Sequence, residues 1–197
     1  MWKSSLMRYA PAQLSAVAQT ASGIVATLAT SEGTRTVQAR SLVGADCTAS
    51  VVRSAFGIET EDVDYGQTAF VTTLMPQRDL AGCGYERFTA TGPVALLPLA
   101  DRRAGVVLTV PTGDAARVAA LDDGAFSALL HERVGYRLGR FSRPGRRVSY
   151  PLKRLQALRL TAPRMALIGN AAQTLHPIGA QGFNLGLRDA LTLAELL

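Results

Sequence analysis

A chain of 197 residues, 48% hydrophobic and 18% charged, has the composition of an ordinary globular protein and is long enough to bury a core. Its two cysteines, Cys47 and Cys83, are too few for a disulfide framework, have no metal-site spacing and favour a reducing compartment. No run of about 18 apolar residues occurs, and the N-terminus shows no secretory pattern. We therefore expect a cytoplasmic protein without a metal site or a membrane span.

The net charge of +6 is concentrated in one segment. Residues 137–164 carry nine basic side chains and no acidic one: Arg137, Arg140, Arg143, Arg146, Arg147, Lys153, Arg154, Arg159 and Arg164. An anionic membrane surface or an acidic partner would be attracted to this segment, but a solvated loop with scattered arginines explains it equally well. Nucleic acid is not expected as a partner, because no nucleic-acid-binding motif is present.

The first 57 residues are predicted to form three strands and a short helix. Apolar residues alternate with small or polar residues, as in half-buried strands, at 14–19 and 24–28. Residues 34–43 are predicted as a third strand that ends in the apolar pair Leu42-Val43. A break at Gly44-Ala45-Asp46 follows. Residues 48–56 then have the pattern of a short helix that Thr48 or Ser50 would cap.

The next hundred residues are predicted to form a mainly antiparallel sheet with helices against it. Glycines, prolines and charged residues separate the strands at hairpin-like spacing. The predicted strands are 65–75, 85–91, 94–97, 105–110 and 148–152, and the predicted helices are 114–121 and 122–138. In the second helix, an apolar face is formed by Phe126, Leu129, Leu130 and Val134.

The last segment, 164–197, is predicted to contain a buried strand, a loop of small residues and a helix. The strand is the fully apolar run 165–168, which ends at Gly169. Helical spacing begins near Gly182 and continues to Leu197. Ligands of open α/β sheets bind beyond the carboxyl ends of strands, and the free amides of a helix N-terminus favour negative charge. This loop and helix start are therefore the candidate binding site.

Small residues in this segment have two interpretations. Gly169, Gly179 and Gly182 would let the backbone approach a flat ligand, and Pro177 would fix the loop. A stripe of small residues also recurs every four positions along the helix, at Gly182, Gly186, Ala190 and Ala194. Such a stripe more often serves close packing than binding.

The stretch from Ala166 to Asp189 closely resembles the second flavin motif of the class A flavoprotein monooxygenases. The broad class has an aspartate where this chain has Asn170, and the asparagine form resembles the ubiquinone-biosynthesis hydroxylases. Gln173 stands where several relatives carry histidine. Within that branch, this glutamine most resembles the 2-octaprenyl-6-methoxyphenol hydroxylases. The resemblance extends over more than twenty consecutive positions and is highly specific.

Two shorter matches occur in the order expected of this family. Leu42–Asp46, followed by Ser50 and Arg53, resembles the family's middle motif, which lies near flavin and nicotinamide cofactor. Glu86–Leu99 resembles the family's substrate-domain sheet. The resemblance therefore covers nearly the whole chain.

This resemblance implies an α/β fold class, α+β overall: a partial FAD-binding Rossmann-like domain with an inserted, mainly antiparallel substrate domain. Residues 1–63 and 164–197 would belong to the FAD-binding domain, and residues 64–163 would form the substrate domain. FAD would be the cofactor, and NAD(P)H and O2 the co-substrates. The reaction implied is hydroxylation of the aromatic ring of a polyprenylated phenol in ubiquinone biosynthesis. Peripheral contact with the inner membrane and with a ubiquinone-biosynthesis complex would accompany it.

The resemblance also implies which residues hold the cofactor. Asn170 would bond the ribityl or phosphate region, Pro177 would lie by the isoalloxazine ring, and residues 179–184 would present amides to its pyrimidine edge. The full set is Asp46, Gly169, Asn170, Pro177, Gly179, Ala180, Gln181, Gly182, Phe183 and Asn184. Asp46 as a helix cap and His176 as an ordinary loop histidine are open alternatives. No catalytic base is assigned.

The chain departs from the family pattern in one large respect. It has no Gly-x-Gly-x-x-Gly turn to hold the ADP half of the cofactor, since Gly82-Cys83-Gly84 lacks the third glycine. We therefore expect a fragment without the N-terminal dinucleotide-binding motif. Two alternatives to the proposed reaction stay open: a related flavin hydroxylase with another aromatic substrate, and an inactive fragment or assembly partner without FAD.

Three single-residue departures concern the turns and the sheet. Cys47 stands where the family usually has glycine, which puts the turn after Asp46 in doubt. Gly179-Ala180 reverses the usual Ala-Gly order. Leu108 occupies a sheet position often held by tryptophan. A defect at any of these positions could weaken flavin binding.

Overall fold

The computed structural model describes residues 6–197, which form two compact units. Unit 1 combines the described residues up to Val63 with Arg154–Leu197, and unit 2 is Asp64–Lys153. Helices and strands are mixed, and the α/β class, α+β overall, is confirmed.

Residues 154–163, which the sequence assigned to the substrate domain, lie with unit 1. Two backbone hydrogen bonds hold this segment there. The amide of Ala157 donates to the carbonyl of Ala172 (2.8 Å), and the amide of Leu158 donates to the carbonyl of Glu59 (2.9 Å). The functions of the two units stay a prediction, since compactness alone assigns no cofactor or substrate.

Unit 1 begins with an antiparallel meander of three strands. They are β1 (Ala12–Gln19), β2 (Ile24–Thr30) and β3 (Gly33–Ala39). Leu14 lies opposite Leu28 in the first pair, and Ala26 lies opposite Val37 in the second. The predicted strand 34–43 was wrong as one element, because the chain leaves the meander after Ala39 and enters another sheet.

The second sheet of unit 1 is the part that positions the candidate site. Its strands are β4 (Leu42–Gly44), β11 (Thr161–Ala162) and β12 (Met165–Leu167), in the order β11-β12-β4. β12 and β4 are parallel, and Ala166 lies opposite Val43. Since parallel strands end at the same edge, the segments that follow β4 and β12 leave the sheet side by side.

A short helix, α1 (Val51–Ala55), follows β4, and it begins later than the predicted residue 48. Of the two predicted caps, Thr48 and Ser50, it is Ser50 that occupies the N-cap position, and its hydroxyl accepts a hydrogen bond from the amide of Arg53 (2.9 Å). After β12 come β13 (Gln173–Thr174) and the long helix α4 (Gln181–Leu196), which confirms the predicted terminal helix. No helix among residues 6–197 is both long and apolar enough to cross a bilayer.

The core of unit 1 is small and is centred on β12 and α1. Its buried side chains are Val52, Ile58, Ala157, Met165, Leu167, Ala171 and Ala172. Gly44 is required where β4 meets this core, because a Cβ there would lie 2.7 Å from the Leu167 side chain and 2.9 Å from that of Val52. Any larger residue would separate β4 from its neighbours.

Unit 2 is built on an antiparallel sheet, as predicted. Its strands are β5 (Thr60–Pro76), β6 (Tyr85–Arg87), β7 (Val94–Pro98), β8 (Ala104–Pro111), β9 (Phe141–Ser142) and β10 (Val148–Ala157). Their order is β10-β5-β8-β7-β6, with β9 beside β5. β5 and β10 are longer than predicted, and both run across the boundary into unit 1.

Two helices, α2 (Ala115–Ala119) and α3 (Asp123–Val134), accompany this sheet. The predicted end of the second helix at residue 138 was wrong, because Gly135 takes a positive φ of 74° and terminates it. Phe126, Leu129 and Leu130 are buried in the core of unit 2, as the apolar face predicted. Leu108, at the position where tryptophan is frequent in the family, is fully buried in the same core.

Candidate functional site

Two segments of unit 1 leave the same edge of the β11-β12-β4 sheet and form the candidate site. We call residues 45–50, which follow β4, loop A, and residues 168–180, which follow β12, loop B. The amide of Ile168 donates to the carbonyl of Gly44 (3.0 Å), so the parallel pairing continues to the point where both loops begin. The predicted site residues of both loops are therefore brought to one edge.

Asp46 in loop A caps α1. One carboxylate oxygen accepts from the amides of Val51 (2.7 Å) and Val52 (3.1 Å), and the other accepts from the hydroxyl of Ser50. Both oxygens are thus used within the chain, and the helix-cap alternative describes the geometry. A contact between Asp46 and a cofactor stays a prediction.

The hydrogen bonds of Asp46 determine its charge state. Partial burial by itself would raise the pKa of this carboxyl. Hydrogen bonds from the Ser50 hydroxyl and from backbone amides, including those of Val51 and Val52, favour the carboxylate and outweigh burial. The pKa of Asp46 therefore lies below its ordinary value of 3.8.

The turn after Asp46 forms although Cys47 replaces the usual glycine. Cys47 takes a left-handed conformation with a φ of 75°, which glycine adopts without strain and other residues adopt at a cost of about 1–2 kcal/mol. At the end of loop B, Gly179 (φ 68°) and Ala180 (φ 52°) also take the left-handed conformation, which again has this cost at the alanine but not at the glycine. Both turns are thus formed with a residue other than glycine, Cys47 or Ala180, in the left-handed conformation.

A buried arginine that the sequence marked only as part of a motif connects the two loops. Arg53, on α1, is 7% exposed. Its Nη2 donates to the carbonyl of Thr48 in loop A (2.8 Å), and its Nη1 donates to the carbonyl of Ala171 in loop B (2.9 Å). The hydroxyls of Thr48 and Thr174 also share a hydrogen bond of 2.7 Å.

A cavity of about 490 Å³ lies between loop A, loop B and α4. Its lining is largely small and apolar: Ala45, Ile168, Gly169, Asn170, Gly182, Phe183, Gly186, Leu187 and Ala190. Four of the predicted cofactor-binding residues are in this lining, namely Gly169, Asn170, Gly182 and Phe183. The structure thus places residues from both ends of the predicted motif around one volume.

The other predicted residues lie outside that lining. Asp46 is engaged in capping, and residues 177–181, together with Asn184, are exposed on the turn and first part of α4. α4 begins at Gln181, and no side chain caps its N-terminus. The first amides of this helix therefore have no side-chain acceptor at the N-cap, and their contact with a cofactor stays a prediction.

The small residues of α4 were interpreted above as serving either helix packing or ligand approach, and Gly186 and Gly182 differ in this respect. A Cβ on Gly186 would lie 3.2 Å from the Cα of Gly169, so this glycine allows close packing of the helix on loop B. A Cβ on Gly182 would meet nothing within 4 Å, so this glycine keeps the cavity open. Asp189 adds a bond that the sequence did not predict, because its carboxylate accepts from the amide of Gly169 (3.0 Å).

Comparison with known proteins identifies the family. A family model described as "FAD binding domain" matches residues 7–197. The chain belongs to this family of FAD-binding domains.

Relatives of the chain carry the names of ubiquinone hydroxylases. It is 42% identical over 188 residues to ubiquinone hydroxylase UbiL of Rhodospirillum rubrum, a match that covers 95% of this chain and 43% of the relative. It is 31% identical over 166 residues to 3-demethoxyubiquinol 3-hydroxylase of Escherichia coli, covering 84% of the chain and 42% of the relative. The chain therefore spans less than half the length of these proteins.

Solved structures of a hydroxylase and a monooxygenase share the fold. Aklavinone-11 hydroxylase in complex with FAD and aklavinone superimposes with a TM-score of 0.73 at 20% identity, covering 93% of this chain and 36% of that one. p-Nitrophenol 4-monooxygenase from Pseudomonas putida gives a TM-score of 0.74 at 17% identity, covering 93% and 47%. At these identities the likeness concerns the fold alone.

The residues of the cavity are compatible with one part of FAD. Glycines at 169, 182 and 186 leave a surface without protruding side chains, which suits a planar ring or a sugar chain. Asn170 supplies an amide donor and acceptor, and the uncapped start of α4 favours an anionic or carbonyl group. No acidic side chain is part of this lining, and the carboxylate of Asp189 beside it is bonded to the amide of Gly169 (3.0 Å).

The capping role of Asp46 predicts a specific pH dependence of stability. Because its folded pKa is lowered, its contribution is fully present above the unfolded pKa and is lost as the pH falls through the folded pKa. We expect Asp46→Asn to lower the free energy of unfolding by about 1 kcal/mol near neutral pH, and by less near pH 3. Thermal or urea unfolding of both proteins across this range measures the difference.

The exposed Asp62 provides the control for loss of one negative charge. Asp62→Asn should change stability by less than about 0.5 kcal/mol near neutral pH. A difference between wild type and Asp46→Asn that stays constant down to pH 3 would contradict the capping role of the carboxylate.

Proposed function

We propose that the protein is an FAD-dependent monooxygenase that hydroxylates the aromatic ring of a polyprenylated phenol in ubiquinone biosynthesis, with NAD(P)H and O2 as co-substrates. The observation that carries this proposal is the cavity between loops A and B and α4 in a chain of the FAD-binding family. The names of its relatives, UbiL of Rhodospirillum rubrum and 3-demethoxyubiquinol 3-hydroxylase of Escherichia coli, support the pathway.

The residues of this chain would bind and orient the cofactor. Asn170 would hydrogen-bond its ribityl or phosphate region, while Gly169 and Gly182 would allow its close approach. The free amides at the start of α4 would stabilise a negative charge there by about 0.3–2 kcal/mol. FAD would supply the chemistry: reduction by NAD(P)H followed by reaction with O2. The protein would orient the cofactor and exclude water from it.

The sheet of unit 2 has an exposed apolar face, which favours the proposal of an apolar substrate. One of its faces packs on α2 and α3, but the other presents apolar residues that are only partly buried. Val71, Val107 and Ala95 lie opposite one another across β5, β8 and β7, and Leu97 follows on the same face. Val71 is 41% and Leu97 is 46% exposed. A polyprenylated phenol would bury such a surface, and each Å² of apolar surface removed from water would favour binding by roughly 25 cal/mol.

A substrate comparison tests the reaction. We expect NAD(P)H oxidation and O2 uptake by the purified full-length protein to rise when a short-chain prenylated phenol is added, with formation of its hydroxylated product. Phenols without a prenyl chain should be poorer substrates by at least about tenfold in kcat/KM, since each buried methylene contributes about 0.8 kcal/mol. Equal rates with unprenylated aromatics would support the alternative, a flavin hydroxylase with another substrate.

The cavity can be tested separately from the reaction. A leucine at position 182 would fill it, and its Cβ would meet no other group within 4 Å. We expect Gly182→Leu to weaken FAD binding at least tenfold, while the FAD-free protein stays as stable as wild type or more so, because leucine is the better helix former. Calorimetric titration with FAD and thermal unfolding measure the two effects.

Gly113→Leu in unit 2 is the matched control, because a Cβ at this position also meets nothing within 4 Å. This variant should bind FAD as wild type does. FAD affinity that is unchanged in Gly182→Leu would place the flavin elsewhere. A wild-type protein that retains no flavin would support the other alternative, an assembly partner of the ubiquinone-biosynthesis proteins.

Peripheral membrane contact belongs to the same proposal, and the basic segment 137–164 would provide it. Only some of its arginines are exposed and outside ion pairs. Arg147 and Arg154 are committed to ion pairs, with Asp123 (3.1 Å) and Glu61 (2.6 Å) respectively. In unit 2 the arginines at 137, 140, 143 and 146 are exposed. The same segment exposes Tyr136, which is 68% accessible. Arginines combined with an exposed aromatic ring suit the interface of an anionic bilayer.

Vesicle sedimentation tests this contact. The full-length protein should sediment with phosphatidylcholine vesicles that contain phosphatidylglycerol and much less with phosphatidylcholine alone. Replacing the four exposed arginines by glutamine should reduce binding at least tenfold, since each contributes about 1 kcal/mol near the surface. The control replaces an equal number of arginines elsewhere: Arg8, Arg35, Arg117 and Arg188. Binding that does not depend on anionic lipid would contradict the proposal.

A further inference from the structure

Within the proposed FAD site, the structure assigns a positioning role to Arg53. We infer that its buried guanidinium holds loop A and loop B at the separation that FAD requires, without itself binding the cofactor. This inference rests on the proposed function.

The first argument is the environment of the guanidinium. Arg53 is almost completely buried, and in the part of the chain that the structure describes no carboxylate forms an ion pair with it. A buried charge without hydrogen bonds is strongly unfavourable. The two carbonyls of Thr48 and Ala171 therefore provide its compensation, at 2.8 and 2.9 Å. Both bonds are of the charge-assisted kind, which are stronger than neutral ones.

The second argument is where those carbonyls lie. Thr48 belongs to loop A, and Ala171 follows Asn170 in loop B. The loops contribute Ala45 and Asn170, respectively, to the lining of the same cavity. A group that bonds to both loops therefore determines the distance between these two walls. The planar guanidinium can reach two separate acceptors at once, whereas the ammonium of lysine is a single point of charge.

The third argument is how Arg53 is itself held. Its amide donates to the hydroxyl of Ser50, and that hydroxyl donates to Asp46. The carboxylate of Asp46 and the guanidinium of Arg53 are thus bonded to backbone groups and to Ser50 of the same chain. Asp46 fixes the start of α1, and α1 carries Arg53 to loop B. The motif would influence the cofactor through the shape of the cavity.

A second bond connects the same two loops. The hydroxyls of Thr48 and Thr174 lie 2.7 Å apart and share one hydrogen bond between neutral groups. It is expected to be weaker than the two bonds of Arg53. Because both connections act on the same pair of loops, their effects on FAD should not be independent.

The experiment uses the full-length protein with Arg53→Lys, and Arg154→Lys as the matched control. Arg154 is also partly buried in unit 1, and it pairs with Glu61 (2.6 Å), which is not part of the cavity lining. For Arg53→Lys we expect the Kd for FAD to rise about tenfold, as for the loss of one charge-assisted bond. The visible circular dichroism of FAD bound at saturation should also change, because the walls around the ring have moved. Arg154→Lys should leave both unchanged.

Amide hydrogen exchange in the FAD-free protein measures the connection between loops A and B independently of FAD binding. In the FAD-free protein, Arg53→Lys should speed exchange in residues 168–174 relative to both wild type and Arg154→Lys. If the wild-type protein binds no FAD but this exchange difference is found, the proposed function fails and the connection between the loops stands. Unchanged exchange together with an unchanged Kd would overturn the positioning role.

Thr48→Val is a second, milder variant that acts on the same two loops. Should Arg53→Lys fail to fold, the Kd for FAD and the exchange of residues 168–174 in Thr48→Val, each against wild type, test the connection between the loops. It removes the hydroxyl bond to Thr174 while keeping the volume of the side chain. We expect a smaller loss of FAD affinity than for Arg53→Lys and, in the double variant, a loss different from the sum of the two. Additive losses, or a bound-FAD spectrum identical to wild type in every variant, would mean that Arg53 serves general stability alone.

Discussion

The candidate site depends on a short parallel pairing between β4 and β12. Three residue pairs define it, Leu42 with Met165, Val43 with Ala166, and Gly44 with Leu167, although these segments are far apart in the chain. The pairing makes loops A and B leave the sheet at one edge. The bond from Arg53 to Ala171 and the cavity itself both follow from that adjacency. Gly44 permits it, because a side chain there would collide with Leu167 and Val52.

Features governed by local patterns could be predicted from the sequence. The apolar run that forms β12 and the helical spacing of α4 were both identified, and residues 105–110 were correctly predicted as a strand, β8. The division of 34–43 into two strands could not be predicted, because no glycine or proline separates Ala39 from Leu42, where the chain changes sheets. That change depends on a hydrogen bond from Leu42 to Arg164, a partner distant in sequence.

The site itself was predictable in outline, through the resemblance of loop B and α4 to a flavin motif. Its internal connections were not. Arg53 donates to carbonyl groups, which every residue possesses, so no pattern of side chains could mark Ala171 as its partner. The bond from Gly169 to Asp189 likewise joins a backbone amide to a side chain on a later turn of α4. Such contacts exist only once the strands have paired.

The bond between Asp189 and Gly169 has a further consequence. It fixes loop B to the middle of α4, while Gly186 brings the helix backbone against the same glycine. Loop B and the start of α4 therefore cannot easily shift independently. A ligand that touches both would meet a preorganised surface, and little conformational entropy would be lost on binding. Two glycines and one aspartate would in this way favour affinity without contacting the ligand through any side chain.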